Sequence, residues 1–256
     1  METYTEQIII SLTSFPARIN KCHLAVECLL RQSFPNKRVV LWLSKEQFPG
    51  EEVPPKLAKL QDYGLEIRFV EGDLRSHKKY FYIFQEAKDS LVFLADDDIY
   101  YPTKIVEKTY NKFIEYGGNK VVVGNYGCRM SHNDDGSLTP YLSWRLCNSA
   151  KNEADNNLFF GSGGGTLLRP CNLYKDICRK ELFTKLTPTA DDIWLNAMAR
   201  LGGNKIIVLA NNYPLSVSIK NDVKLYKVNY TEECGNDAQL KAVNDFYMDE
   251  CKEKVF

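Results

Sequence analysis

Apolar residues in the first half of the chain come in two kinds of run. Short continuous blocks, many of them β-branched, fall at residues 8–12, 39–43, 65–70, 91–95 and 121–123. Such blocks read as strands buried on both faces. Between them the apolar positions recur at helical spacing. Leu24, Ala25, Cys28 and Leu29 mark a helix over 21–32, and shorter helical stretches cover 55–62 and 77–88. Ile105, Val106, Thr109, Tyr110, Phe113 and Ile114 share one face of a fourth helix, with Pro102 at its approach and Gly117-Gly118 at its end. Strand alternating with helix predicts a mainly parallel sheet with helices on both faces.

A sheet of that kind places its ligand outside the carboxyl ends of its strands. Four turns should therefore converge on one crevice: Ser11-Leu12-Thr13-Ser14, Ser44, Glu71-Gly72-Asp73 and the acidic triplet Asp96-Asp97-Asp98. Beyond residue 126 the pattern weakens. Residues 127–160 read as irregular, with a turn at 132–136. A glycine loop follows at 161–165, then a short helix near 172–180, a helix over 191–201, a strand over 205–210 and a last helix over 236–250. No repeat or low-complexity linker interrupts the 256 residues, so one domain is expected.

Composition narrows the function. Lys+Arg and Asp+Glu are 33 each, which removes a strongly basic nucleic-acid footprint. No window approaches the ~18 apolar residues of a spanning helix. The N-terminus has no basic segment followed by an apolar one, so it does not read as a secretory signal, and a cytoplasmic location is expected. The eight cysteines form no CxxC pair and no closely spaced His pair exists, which argues against zinc and for free thiols. Asn229-Tyr230-Thr231 matches a glycosylation sequon without meaning in that compartment.

The chemistry lies in four stretches. Three consecutive acids at a buried strand end repel one another and exceed what a helix cap needs. On strand alternation Asp96 and Asp98 project to one side and Asp97 to the other. Two carboxylates on one side suit a hard cation, Mn2+ or Mg2+, that keeps positions open for phosphates. Asp191-Asp192 opens the helix at 191–201, where a carboxylate could deprotonate a hydroxyl nucleophile. Arg75, His77, Lys78 and Lys79 crowd a helix start, where basic residues oppose the dipole and a diphosphate contact would explain them. His77 on its own reads as a surface polar residue. Gly163, Gly164 and Gly165 match no phosphate-loop pattern, and they permit close backbone approach to a sugar or acceptor. Trp144 stands in a polar stretch, either packing or stacking on a sugar.

Taken together, "ISLTSFPARI", "LLRQSFPNKRVVLWLS", "DLRSHKKY", "LADDDIYYP", "GSGGGTLLRP" and "TADDIWLNAMA" resemble bacterial glycosyltransferases of the GT-A fold, of family-2-like type, that build capsular or lipopolysaccharide chains. The resemblance spans roughly residues 7–210. It implies a single GT-A, Rossmann-like α/β domain with a nucleotide-sugar half over 1–126 and an acceptor half over 127–256. It also implies a UDP- or GDP-sugar donor held by Thr13, Ser14 and Arg18 and by the acidic triplet, with metal on Asp96 and Asp98; the reading of the residues adds Asp73, Lys78, Lys79, Asp96 and Asp97 as expected donor contacts. Asp191 is expected as the base of an inverting transfer, with Asp192 orienting the acceptor or capping the helix. Trp144 and Gly163–Gly165 are the expected acceptor or sugar contacts. The acceptor would be a glycan or a lipid-linked glycan, with peripheral contact at the inner face of the plasma membrane. The sequence departs from the family in two places: Ser44 stands where many members carry an acid after the second strand, so Glu71 or Asp73 would take over, and no histidine follows His132 to join a metal. A glycoside hydrolase, or a carbohydrate-binding protein without catalysis, is the alternative.

Overall fold

The computed structural model describes residues 6–147, 153–209, 215–216 and 235–256. In chain order its strands are β1 (Ile8–Thr13), β2 (Lys37–Ser44), β3 (Leu65–Val70), β4 (Leu91–Leu94), β5 (Ile99–Tyr100), β6 (Val121–Gly124), β7 (Gly127–Arg129), β8 (Arg145–Leu146), β9 (Leu158–Phe160), β10 (Thr166–Leu168), β11 (Lys205–Val208) and β12 (Leu215–Ser216). The helices are α1 (Ile19–Leu30), α2 (Pro55–Ala58), α3 (Lys78–Glu86), α4 (Ile105–Glu115), α5 (Lys180–Leu186), α6 (Asp191–Leu201) and α7 (Asn236–Cys251).

Seven strands form the central sheet in the order β11-β6-β10-β4-β1-β2-β3. All neighbours run parallel except β10, which lies antiparallel between β4 and β6. Strand alternation divides the core into two layers. Ile8, Ile10 and Leu12 of β1 pack with α1, α2 and α4, whereas Ile9 packs on the other side with α3, α5, α6 and α7. Helices on both faces of a largely parallel sheet are what the period of the first half predicts. The carboxyl ends of β1, β2, β3 and β4 accordingly share one edge.

The second half departs from expectation in three places. Residues 127–160, read as irregular, contain β7, β8 and β9, which pair antiparallel in a small second sheet. The tail of the glycine loop is a buried strand, β10. Its three residues are too short to leave a periodic signature, and Gly165 ahead of it takes φ +97, open to glycine and strained for other residues. The helix placed near 172–180 is two 3-10 turns, Pro170–Asn172 and Lys175–Cys178, with α5 beginning only at Lys180. The seven described cysteines are free thiols. Cys234, the sequon at 229–231 and the end of the strand expected to reach 210 lie outside the described residues. Among the described residues no helix is long and apolar enough to cross a membrane.

Candidate active site

A cavity of about 430 Å3 opens at the carboxyl edge of the sheet. Both halves of the chain line it: Thr13, Ser14 and Arg18 after β1, Asp73, Arg75, Lys78 and Lys79 around the start of α3, the acidic triplet after β4, and Asp191 and Asp192 at the start of α6.

The triplet splits as alternation requires. Asp96 and Asp98 keep 38% and 28% of their side-chain exposure, and Asp97 keeps 4%. Buried Asp97 accepts hydrogen bonds from the Ser14 hydroxyl and from Arg18 Nη1 at 2.9 Å. The same Arg18 nitrogen lies 2.8 Å from Asp98. Thus Ser14 and Arg18 brace the acids internally, and Thr13 donates its hydroxyl to the Trp42 carbonyl at 2.8 Å.

Lys79 joins the two acidic clusters. Its ammonium donates to Asp96 Oδ1 at 2.6 Å and to the Ser162 hydroxyl at 3.1 Å, and it lies 3.1 Å from Asp191 Oδ2. Ser162 completes the link: its hydroxyl donates to Asp191 at 2.7 Å and its backbone N–H to Asp192 Oδ1, also at 2.7 Å. Such a buried cation would be costly alone, and its carboxylate partners keep it charged. The effect on the acids is unequal. Burial alone would raise Asp191, but the Lys79 charge and the Ser162 hydroxyl outweigh it and hold that carboxyl below its usual range. Burial and the adjacent Asp191 charge push Asp192 up, because Lys79 offsets them only in part.

Several expected contacts lie elsewhere. Lys78, expected on a phosphate, is buried and donates to Asp73, whose other oxygen accepts Gln47 Nε2 at 2.7 Å. His77, expected at the surface, is 1% exposed. Its Nε2 faces the Thr187 carbonyl at 2.7 Å, so Nε2 carries the proton and Nδ1 accepts from the Tyr80 hydroxyl at 2.9 Å. Burial lowers this imidazole to about 4, so it stays neutral and pins the start of α3. Trp144 is buried against Tyr141 and Phe159, with its indole N–H on the Thr139 carbonyl at 3.1 Å; Tyr141 lines the cavity instead. The glycines do admit close approach, but to side chains of this chain: a Cβ at Gly163 would fall inside the Asp96 carboxylate, one at Gly164 would meet Tyr126, and one at Gly165 would meet Phe93.

One cation stands apart. Arg75 lines the cavity, is exposed, and forms no ion pair among the described residues. Its backbone is held at φ +50 while its N–H donates to Asp73 Oδ1 at 2.9 Å. A non-glycine residue in that region is held there by its surroundings. The basic run 75–79 signalled a cluster, but its spacing could not separate the neutralised cations from the open one.

A divalent cation fits Asp96 and Asp98. Burial and the Asp96 charge push the Asp98 carboxyl up, and a metal charge beside the pair would relieve that crowding. No three His, Cys, Asp or Glu side chains cluster as a metal shell among the described residues. Two carboxylates would hold such an ion only together with ligand phosphates.

No protein-family model matches the chain, and no curated protein is similar to it. Solved structures are. S. aureus TarS 1-349 in complex with UDP aligns over 94% of this chain and 72% of that one, with 13% identity and a TM-score of 0.54. The same TarS fragment with UDP-GlcNAc aligns over 95% and 73%, at 13% identity and a TM-score of 0.54. The mannosyltransferase PcManGT from Pyrobaculum calidifontis, in complex with GDP-Man and Mn2+, aligns over 98% and 66%, at 12% identity and a TM-score of 0.53. At such identities the likeness shows the fold, a single GT-A-type α/β domain.

Proposed function

We propose that this chain is a glycosyltransferase that takes a nucleotide-sugar donor into the cavity and passes the sugar to a hydroxyl of a second substrate. The observation that carries the reading is the Asp192 carboxyl. It is raised toward neutrality at the start of α6 and tied through Ser162, Asp191 and Lys79 to Asp96 at the end of β4. A raised carboxyl linked to a crowded acidic pair in the same cavity suits proton removal from an acceptor while a phosphate leaves. The nucleotide-sugar complexes of TarS and PcManGT support the donor class, since those proteins share the fold.

In this reading the donor lies against the turns after β1, β3 and β4. Arg75 meets the diphosphate. Asp96 and Asp98 would hold a Mn2+ or Mg2+ ion that supplies positive charge to the departing nucleoside diphosphate. The acceptor enters beside Tyr141 and Asn236, which also line the cavity. Asp192, not Asp191, takes the acceptor proton: Asp191 is neutralised by Lys79 and is a poor base. Attack from the side opposite the leaving group would invert the anomeric centre. A glycan acceptor of a surface polysaccharide, lipid-linked or free, belongs to the same proposal.

Thermal unfolding with a panel of nucleotide-sugars, with and without manganese, tests it. Stabilisation by a UDP- or GDP-sugar that requires the metal is expected. Stabilisation by free glycan alone would replace the transferase with a binding protein.

A further inference from the structure

We infer that the cleft between α1 and α2 is a second ligand site, built for a phosphate- or diphosphate-bearing anion. This cleft, of about 590 Å3, shares no lining residue with the candidate active site. One wall is α1 and its end, with His23, Glu27 and Arg31 at four-residue spacing; the other is α2 and the 3-10 turn after it, with Lys56, Lys59 and Tyr63. Four-residue spacing keeps side chains on one helical face, so the two charged faces oppose each other across the cleft. Leu30 and Leu60 also line it.

Charge points to the ligand. Arg31, Lys56 and Lys59 face Glu27 as the one acid of the lining, and Glu27 lies 3.5 Å from Arg31. Lys56 and Lys59 form no ion pair among the described residues. His23 Nδ1 is enclosed and meets no hydrogen-bond partner among the described residues. Like charges held across a gap repel, and an anion between them reverses the sign of that interaction. A phosphate offers more acceptor oxygens than a carboxylate, directed further apart, and carries more negative charge, which suits cations on two facing walls such as Arg31, Lys56 and Lys59. Tyr63, 68% exposed, leaves a ring face open beside the cations. The phosphate could come from a free metabolite or from a lipid headgroup, and the test separates them.

Pyrophosphate is titrated into the 15N-labelled chain, and the chain is sedimented with phosphatidylcholine vesicles with and without phosphatidic acid. Each is repeated on Lys56→Glu/Lys59→Glu, whose two sites are exposed and unpaired, with circular dichroism as the check on folding and Arg31→Ala as a second variant. Amides over 23–31 and 56–63 should shift saturably, and affinity should fall about tenfold or more in the double variant and with added salt. Sedimentation that needs phosphatidic acid and is lost in the variant assigns the lipid source. Pyrophosphate binding without sedimentation assigns the free one. No saturable shift in these segments together with no lipid-dependent sedimentation overturns the site, as does a response that the charge reversal leaves unchanged.

Discussion

The ammonium of Lys79 stands 3.1 Å from the carboxylate of Asp191, and both side chains are buried. One residue near the start of α3 is thereby tied to the first residue of α6, and the same ammonium holds Asp96 after β4. Removing one partner of a buried pair leaves the others as uncompensated charge. Lys79→Met should therefore lower stability by about 3–5 kcal/mol, read from urea unfolding. A loss within about 1 kcal/mol, the size of an exposed pair, would mean that water already screens this network.

Arg75 and Lys78 should respond differently although they stand only three positions apart. Arg75→Ala removes an exposed, unpaired cation, so its stability should hold while nucleoside diphosphate binding weakens by roughly 1.5–3 kcal/mol. Nucleoside binding, which lacks the phosphate charge, should change little. Lys78→Ala strips Asp73 of a buried partner and should act mainly on stability. Calorimetry with both ligands checks the pair. Equal losses for nucleoside and diphosphate in Arg75→Ala would contradict a phosphate role.

Gly163→Ala tests whether the glycine loop serves the acids. The added Cβ would fall inside the Asp96 carboxylate, so that side chain must turn away from Lys79. Overpacking of this kind costs about 1–3 kcal/mol. Metal-dependent donor binding should weaken with it. Wild-type stability and donor affinity together would show that the loop yields freely.

The crevice was legible in the sequence because it depends on period. Strand blocks at 8–12, 39–43, 65–70 and 91–95 put Thr13, Asp73 and Asp96 at one sheet edge, and the edge exists. β10 escaped because three residues carry no period, and its neighbours β4 and β6 provide the burial that makes it a strand. Side-chain partners escaped for a different reason. Nothing in "SHKKY" says that Lys79 finds Asp191 across the sequence, that Lys78 folds back on Asp73, or that His77 is sealed under Phe183. The Asp-Asp pair located the base cluster, but its division of roles depends on which carboxylate Lys79 reaches.

That division is the last test. Asp192 is raised by burial and by Asp191, so it is protonated to a higher pH than an ordinary carboxyl and the base form appears only above that point. kcat/KM should thus be flat at high pH and fall as pH drops through the raised value, well above the ordinary carboxylate pKa of about 4. Asp192→Asn should keep metal-dependent donor binding and lose about 10²–10⁴-fold in transfer, the usual effect of removing a general base. Asp191→Asn removes the negative neighbour and frees Lys79 for Asp192. Both changes ease ionisation, so the acid limb should move to lower pH while turnover at high pH is largely kept. The pH profile of both variants, beside donor affinity by calorimetry, decides between the two aspartates. Full turnover in Asp192→Asn with loss in Asp191→Asn would return the base to Asp191. Full turnover in both would remove general-base catalysis from the start of α6 altogether.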